Sequence, residues 1–283
     1  MKLGVHAYVW CSQWSNDMLH LIDKVKELGL DFIELPLMCL ETFDSKAVKE
    51  RLVSVGLDAC TSTVLLNDTD ITSFDSEVRR KGVEYLKDCV RATSEIGAQS
   101  FSGVIYSQYL KPATKRPSEK EWQFSAECLR EVAKYARKFG ITIGIEPVSR
   151  YESYLINICE QAVKLMEIIG EPNVKIHLDS YHMNIEEKSF YHATKLAGEN
   201  LIHYHLCEND RGIPGTGLVK WDEIFRALKE INYSGYAGLE GFADCTDNMN
   251  TWVWRQLAKD GDTFVREGIA FIRKMQKKYN LKK

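Results

Sequence analysis

Glu146, Asp179, His205 and Glu240 each close a short apolar run, in ITIGIE, VKIHLD, LIHYH and YAGLE. The runs recur at intervals of about 26 to 35 residues, roughly one strand plus one helix in an α/β barrel. If the runs are parallel strands, the four side chains arrive at one rim. Three carboxylates and an imidazole meeting there form a hard, mixed oxygen and nitrogen donor set, suited to one divalent cation such as Mn²⁺, Mg²⁺ or Co²⁺. Taken singly each residue is ambiguous, because a strand-end Glu is as often a salt-bridge partner and a lone His commonly fills a core position. Together they are harder to explain structurally, since clustered carboxylates repel one another unless a cation is present.

The elements that would position these groups alternate along the whole chain. Runs rich in β-branched and aromatic residues at Leu3 to Trp10, Phe32 to Leu35, Ala59 to Val64 and Ser100 to Tyr106 precede helical patterns at about Asp17 to Leu28, Ser45 to Val55, Ser76 to Ile96 and Ser118 to Phe139. Thr142 to Glu146, Val174 to Asp179, Ile202 to His205 and Tyr236 to Glu240 precede helices at about Ile158 to Ile169, Phe190 to Ala197, Trp221 to Ile231 and Thr263 to Tyr279. Eight such units predict a single-domain (β/α)8 TIM barrel over residues 1–283. Gly97 and Gly140 stand where left-handed helix caps would place glycine, although plain turns fit as well. The tail KKYNLKK offers few apolar residues and reads as frayed. Long strand-to-helix segments, notably Tyr106 to Pro117, Cys207 to Lys220 and Gly241 to Asp262, gather at the rim that carries the three acids and the imidazole.

The 37 basic and 40 acidic residues leave a formal charge of −3, with no excess to hold a polyphosphate backbone, so nucleic acid is not an expected partner. No signal-peptide pattern opens the chain and no apolar stretch approaches a membrane span, so a soluble, cytoplasmic protein is expected. The eight cysteines are scattered without paired spacing and are expected to be reduced.

Further polar groups cluster around the first four. Glu152 lies in EPVSRYE, His182 in LDSYHMNIEE and Arg211 in HYHLCENDR. Beside a metal, a His and an Arg could polarise a carbonyl or hold sugar hydroxyls, because both present directed donors. A surface Arg and a merely supporting His are the plainer alternatives. GIPGTG lacks the Lys of a phosphate loop and the spacing of a dinucleotide fingerprint, and reads as a tight turn.

These segments, with GLEGF and the VWR at Val253 to Arg255, resemble the ketose 3-epimerase group, the D-tagatose and D-psicose (allulose) 3-epimerases, of the sugar phosphate isomerase/epimerase TIM-barrel superfamily. The resemblance implies a metal, Mn²⁺ foremost, held by Glu146, Asp179, His205 and Glu240. It implies that Glu152, His182 and Arg211 bind oxygens near the substrate carbonyl, and that His6, Trp14 and Tyr109 face the distal carbons. It also implies a homodimer or homotetramer acting on free ketoses. The chain departs from the group's pattern at His6, where a tyrosine is frequent, at Tyr109, where a tryptophan is frequent, and in the loop GFADCTDNMNT. Recognition beyond C3 is where these departures would act.

The chemistry so implied is C3 epimerisation through a cis-enediolate, with Glu146 and Glu240 as paired base and acid, and with Asp179 and His205 as ligands only. Rim aromatics, Trp10, Trp14, Tyr106, Tyr109, Phe242 and Trp252, could cover the carbon skeleton or simply pack loops. Alternatives are another keto-sugar isomerase on the same site, of the hydroxypyruvate or inosose type, and a sugar-binding protein without catalysis. An endonuclease of the same superfamily would need several zinc ions and a basic surface, which the charge balance does not supply.

Overall fold

The structure, a computed structural model, describes residues 1–244 and 253–281. Eight parallel strands, β1 (Lys2–His6), β2 (Phe32–Pro36), β3 (Asp58–Leu65), β4 (Ser100–Gln108), β5 (Thr142–Ile145), β6 (Val174–Asp179), β7 (Leu201–His205) and β8 (Tyr236–Leu239), pair in chain order, and β8 closes on β1. Around them run α1 (His20–Glu27), α2 (Ser45–Val55), α3 (Ser76–Glu95), α4 (Glu119–Arg137), α5 (Cys159–Ile169), α6 (Ser180–Glu186), α7 (Phe190–Ala197), α8 (Trp221–Glu230) and α9 (Gly261–Lys278). The barrel expected from the strand and helix periods is therefore the observed one.

Helix boundaries follow local chemistry. Asp44 accepts the amides of Lys46 and Ala47 at the start of α2, and Ser118 and Glu121 form a reciprocal capping box at the start of α4. Gly97 and Gly140, just past α3 and α4, have φ of 86° and 69°, the left-handed conformation glycine adopts without a Cβ penalty.

Side chains of a strand alternate between its two faces, and here the alternation separates two kinds of core. Val5, Ile33, Ile145, Leu178, Tyr204 and Leu239 are fully buried beneath the helices. The opposite set points to the barrel axis. Phe32 fills the space that Gly4 leaves open, where an added Cβ would lie 2.4 Å from the ring. Above Phe32 the interior turns polar: Glu34, Cys60, His177 and His203, then Asp179, His205, Glu146 and Glu240 at the strand ends. Registry levels the groups, pairing His177 with His203 and Asp179 with His205.

Several expectations need correction. The first strand ends at His6 rather than Trp10, because the His6 imidazole accepts the Tyr8 amide and turns Ala7–Val9 into a 3₁₀ segment. The first helix is preceded by a 3₁₀ turn at Asn16–Met18 and begins at His20. An extra helix, α6, follows β6 directly, its first turn capped by Asp179 itself through the Tyr181 amide. The C-terminal segment is docked: the Tyr279 hydroxyl donates to Asp222 at 2.7 Å and Leu281 packs on the core.

The cysteines among the described residues are all free, and Cys245 lies outside them. No helix among the described residues is long and apolar enough to cross a membrane.

Candidate active site

The ends of β5 to β8 bring the four rim residues together. Glu146 and Glu240 stand one position beyond β5 and β8, while Asp179 and His205 are the last residues of β6 and β7. His205 Nδ1 lies 3.6 Å from Glu146 Oε1, 3.8 Å from Asp179 Oδ2 and 3.3 Å from Glu240 Oε2. All four residues are buried, and His205 Nδ1 makes no hydrogen bond among the described residues. Donor atoms of Glu146, Asp179 and His205 lie within 4.8 Å of one another, as do those of Asp179, Cys207 and Glu240. A buried imidazole nitrogen without a hydrogen-bond partner, facing three carboxylates, is the donor set a divalent cation requires once it displaces any proton from that nitrogen. The cluster could therefore hold one.

Charge is distributed unequally over these groups. The Glu146 carboxyl is pushed above its ordinary value, first by burial and then by repulsion from Asp179 and Glu240, against the pull of His205. For Glu240 burial acts in the same direction, yet Arg211 and His205 outweigh it and hold the carboxyl well below the usual range. Asp179 is likewise lowered, its burial overcome by Arg211 and His182. Burial would depress the His205 pKa, but Glu34 and Glu240 raise it well above that of free imidazole. Two carboxyl groups of one type, Glu146 with its pKa raised and Glu240 with its pKa lowered, are thus separated by their surroundings.

Arg211 supplies the positive charge. Nη1 lies 2.7 Å from Asp179 Oδ2 and 2.6 Å from Glu240 Oε2, and Nη2 lies 3.2 Å from His182 Nε2. Its guanidinium stacks 4.1 Å from the Tyr181 ring centre, and its backbone has a φ of 66°, a conformation uncommon for a non-glycine residue. Held strain at a residue in the middle of a charge cluster is consistent with a functional constraint. Arg211 is thus buried among the acids, which the sequence-based alternative of a surface Arg did not anticipate.

A cavity of about 400 Å³ opens above the cluster. Its walls include Glu146, Glu152, His182, His205, Arg211 and Glu240, together with His6, Tyr8, Ser62, Tyr109 and Phe242. His182 accepts the Ser149 amide on Nδ1 at 3.1 Å, which orients the ring, and that nitrogen lies 3.8 Å from Glu152 Oε1. His6 Nε2 lies 3.1 Å from the Ser62 hydroxyl, and burial keeps its pKa below that of free imidazole against the pull of Glu34 and Glu240.

The structure does not bring every candidate to the cavity. Trp14 is 3% exposed and sits in the core, while its neighbours Ser12 and Gln13 form the wall. Tyr106 is fully buried with its hydroxyl on the Ile156 carbonyl, so it packs the loop after β5 and not a ligand. Trp10 lies to one side, bonded to Asp262. Trp252 falls outside the described residues.

The loops that carry Tyr109 and Glu152 are pinned from behind. Asp70 Oδ1 accepts from Thr72 N, Thr72 Oγ1 and Gln108 N, and its Oδ2 accepts from Lys111 Nζ at 2.8 Å. Next to Lys111, Leu110 takes a φ of 56° and donates its amide to the Glu152 carbonyl at 2.8 Å. Burial would raise the Asp70 pKa, but the hydrogen bonds from Lys111 and Thr72 bring it below its ordinary value. A carboxyl lowered on folding stabilises the protein above its unfolded pKa, and that contribution is lost as pH falls through the folded pKa. Asp70→Asn should therefore start from a lower melting temperature and lose less of it between about pH 5 and about pH 2 than the parent does. Thermal melts across that range check this, and equal acid slopes for the two proteins would contradict it.

Glu34, His177 and His203 were missed by sequence reasoning. Glu34 Oε2 accepts from His205 Nε2 at 2.8 Å and lies 3.0 Å from His203 Nε2. The His177 ring packs edge-on against His203 and His205, at 4.3 and 4.2 Å between ring centres. The signal was available: His177 and His203 stand two positions before Asp179 and His205, on the same strand face. Glu34 interrupts the apolar run FIELP in the way the four rim residues close theirs.

Comparison with known proteins agrees with the geometry. Residues 22–275 match the family model of the xylose isomerase-like TIM barrel. The ketose 3-epimerase of Arthrobacter globiformis is 36% identical over 281 residues, covering 96% of each chain. The D-psicose 3-epimerase of Ruminiclostridium cellulolyticum is 32% identical, covering 93% of this chain and 92% of its own. A D-allulose 3-epimerase from a Methylomonas species, solved in complex with D-allulose, superposes with a TM-score of 0.93 at 32% identity over 97% of both chains. With a closed eight-stranded barrel and matches that run nearly end to end, the chain belongs to the xylose isomerase-like TIM-barrel family, as a carbohydrate epimerase of its ketose 3-epimerase group.

Proposed function

We propose that this enzyme is a metal-dependent ketose 3-epimerase that interconverts free ketoses, of the D-tagatose, D-psicose/D-fructose and ribulose type, by removing and returning the C3 proton. One observation carries the proposal: Glu146 and Glu240 reach the same buried cluster from strands three positions apart, with the His205 imidazole between them. The relatives named for ketose, D-psicose and D-allulose 3-epimerisation support the substrate class. The cavity volume lies in the range of small-molecule sites and suits a monosaccharide.

Inversion at C3 needs one group to take the proton from one face and another to deliver a proton to the opposite face. Glu240, paired with Arg211 at 2.6 Å and held as the carboxylate, is suited to the first task, and Glu146, without that cation and with its pKa raised by burial, to the second. The electron pair of the broken C3–H bond passes into the C2 carbonyl to give a planar enediolate, and protonation from the other face restores the ketone with C3 inverted. Glu240 gains a proton and Glu146 loses one, so the reverse reaction uses the same pair with exchanged roles.

Glu146, Asp179, His205 and Glu240 would hold one divalent cation, Mn²⁺ foremost with Co²⁺ or Mg²⁺ as alternatives, which when bound supplies Lewis-acid stabilisation of negative charge at the C2 and C3 oxygens. His182 and Arg211 present donors to oxygens at the carbonyl end, and Glu152 accepts from a hydroxyl. His6 and Tyr109 line the distal end, where apolar surface and few fixed partners discriminate weakly.

A panel of free ketoses incubated with enzyme and Mn²⁺, resolved by chromatography, should yield the C3 epimer of each accepted sugar. Formation of the aldose isomer in its place would overturn the assignment.

A further inference from the structure

We infer that Glu34 is a positioning residue for the metal site: it fixes the His205 imidazole so that Nδ1 is the ligand atom. The inference rests on the proposal that His205 is a ligand. Glu34 lies on β2, two positions below the β2 terminus, and is 0% exposed. It can touch no substrate, so any effect it has on the reaction runs through another residue.

The contact geometry is directional. His205 Nε2 lies 2.8 Å from Glu34 Oε2 in a well-formed hydrogen bond. A carboxylate only accepts, so the imidazole must donate, and its proton resides on Nε2. As a metal ligand the ring is neutral and keeps one N–H, the one held by Glu34 on Nε2, so the cation takes the place of the proton on Nδ1. Nδ1 is the buried atom without a hydrogen-bond partner that lies 3.3 to 3.8 Å from the oxygens of Glu240, Glu146 and Asp179. A metal-bound histidine whose second nitrogen is anchored on a carboxylate has its tautomer and ring plane set, and is the more basic ligand for it.

Glu34 is itself anchored. His203 Nε2 lies 3.0 Å from the same Oε2, His6 Nε2 lies 3.8 Å from Oε1, and the His177 ring closes against His203 and His205 from the β6 side. Three buried imidazoles around one carboxylate leave it little freedom to turn away from His205. The polar layer beneath the rim acquires a purpose on this view, since burying four titratable side chains inside a barrel is otherwise costly.

The test measures metal binding directly. Mn²⁺ should bind Glu34→Gln about 10- to 100-fold more weakly than wild type by titration calorimetry, because an amide can either accept from or donate to His205 and no longer selects a tautomer. The visible absorption bands of the Co²⁺-loaded variant should shift relative to wild type, a change in ligand field that loss of packing alone does not produce. Glu34→Asp, which keeps the charge but withdraws it by one methylene, serves if Glu34→Gln fails to fold, and should fall between the two in affinity. Wild-type affinity and an unshifted Co²⁺ spectrum in a folded variant would overturn the inference. Asp179→Asn is the control: if it loses Mn²⁺ while the Glu34 variants do not, only the role of Glu34 falls. If Asp179→Asn also binds Mn²⁺ as wild type does, the metal assignment itself falls and takes the inference with it.

Discussion

Glu146→Gln and Glu240→Gln should each lower kcat for ketose epimerisation by at least about 10³-fold while leaving the far-UV circular dichroism unchanged. A positioned acid or base contributes roughly 10²- to 10⁴-fold, and each of these residues is assigned both a proton and a ligand position. The two losses arise differently. Glu240 sits under the Arg211 guanidinium at 2.6 Å, so its amide variant leaves a buried cation with one fewer counter-charge. Glu146 has no guanidinium against it among the described residues, and burial with repulsion from Asp179 and Glu240 raises its pKa. The double variant should be scarcely slower than either single one, because residues that act as a unit are not additive. Steady-state kinetics on a ketose accepted by the wild type decides the matter, and a single variant within tenfold of wild type would end the two-glutamate scheme.

Removal of divalent metal should abolish activity and lower the melting temperature by roughly 5 to 10 °C. A ligand present at about 100 times its Kd stabilises the native state by about 2.7 kcal/mol, and about 1 kcal/mol shifts the melting temperature of a chain this long by roughly 2 to 4 °C. The physical source is the cluster itself: Glu146, Asp179 and Glu240 are buried close to one imidazole, and clustered carboxylates repel when only part of their charge is matched. Arg211 offsets two of the three, since its Nη1 reaches Asp179 and Glu240 and, among the described residues, no ion pair ties it to Glu146. Melting curves with chelator and after readdition of Mn²⁺ measure the shift. Equal melting temperatures in the two states would show that the cluster is satisfied without a cation.

Much of this site was legible in the chain. Strand-end acids separated by whole βα units required a barrel to bring them together, and the period of the apolar residues supplied the barrel. What escaped was set by contacts that span the sequence. Glu34 is 171 positions from His205, and no local pattern announces their bond, although the strand face of His177 and His203 could have been read from a spacing of two. Trp14 shows the opposite case, since the family resemblance placed it at the sugar while Ser12 and Gln13 line the cavity and Trp14 is buried in the core. The short helix α6 was hidden because its cap is Asp179, a residue already given another role. Arg211 was expected beside the site, but its pairing with Asp179 and Glu240 depends on a left-handed backbone that is uncommon outside glycine and that no local pattern announces.

The central claim is that Glu146 and Glu240 pass a proton across C3 of a ketose. Proton NMR of D-tagatose or D-psicose incubated with enzyme and Mn²⁺ in D₂O tests it most directly. Deuterium should appear at C3 of the epimer formed, with C1 and C4 left protonated and no exchange when chelator is present. Deuterium at C1, or epimer formed with its C3 hydrogen fully retained, would contradict it.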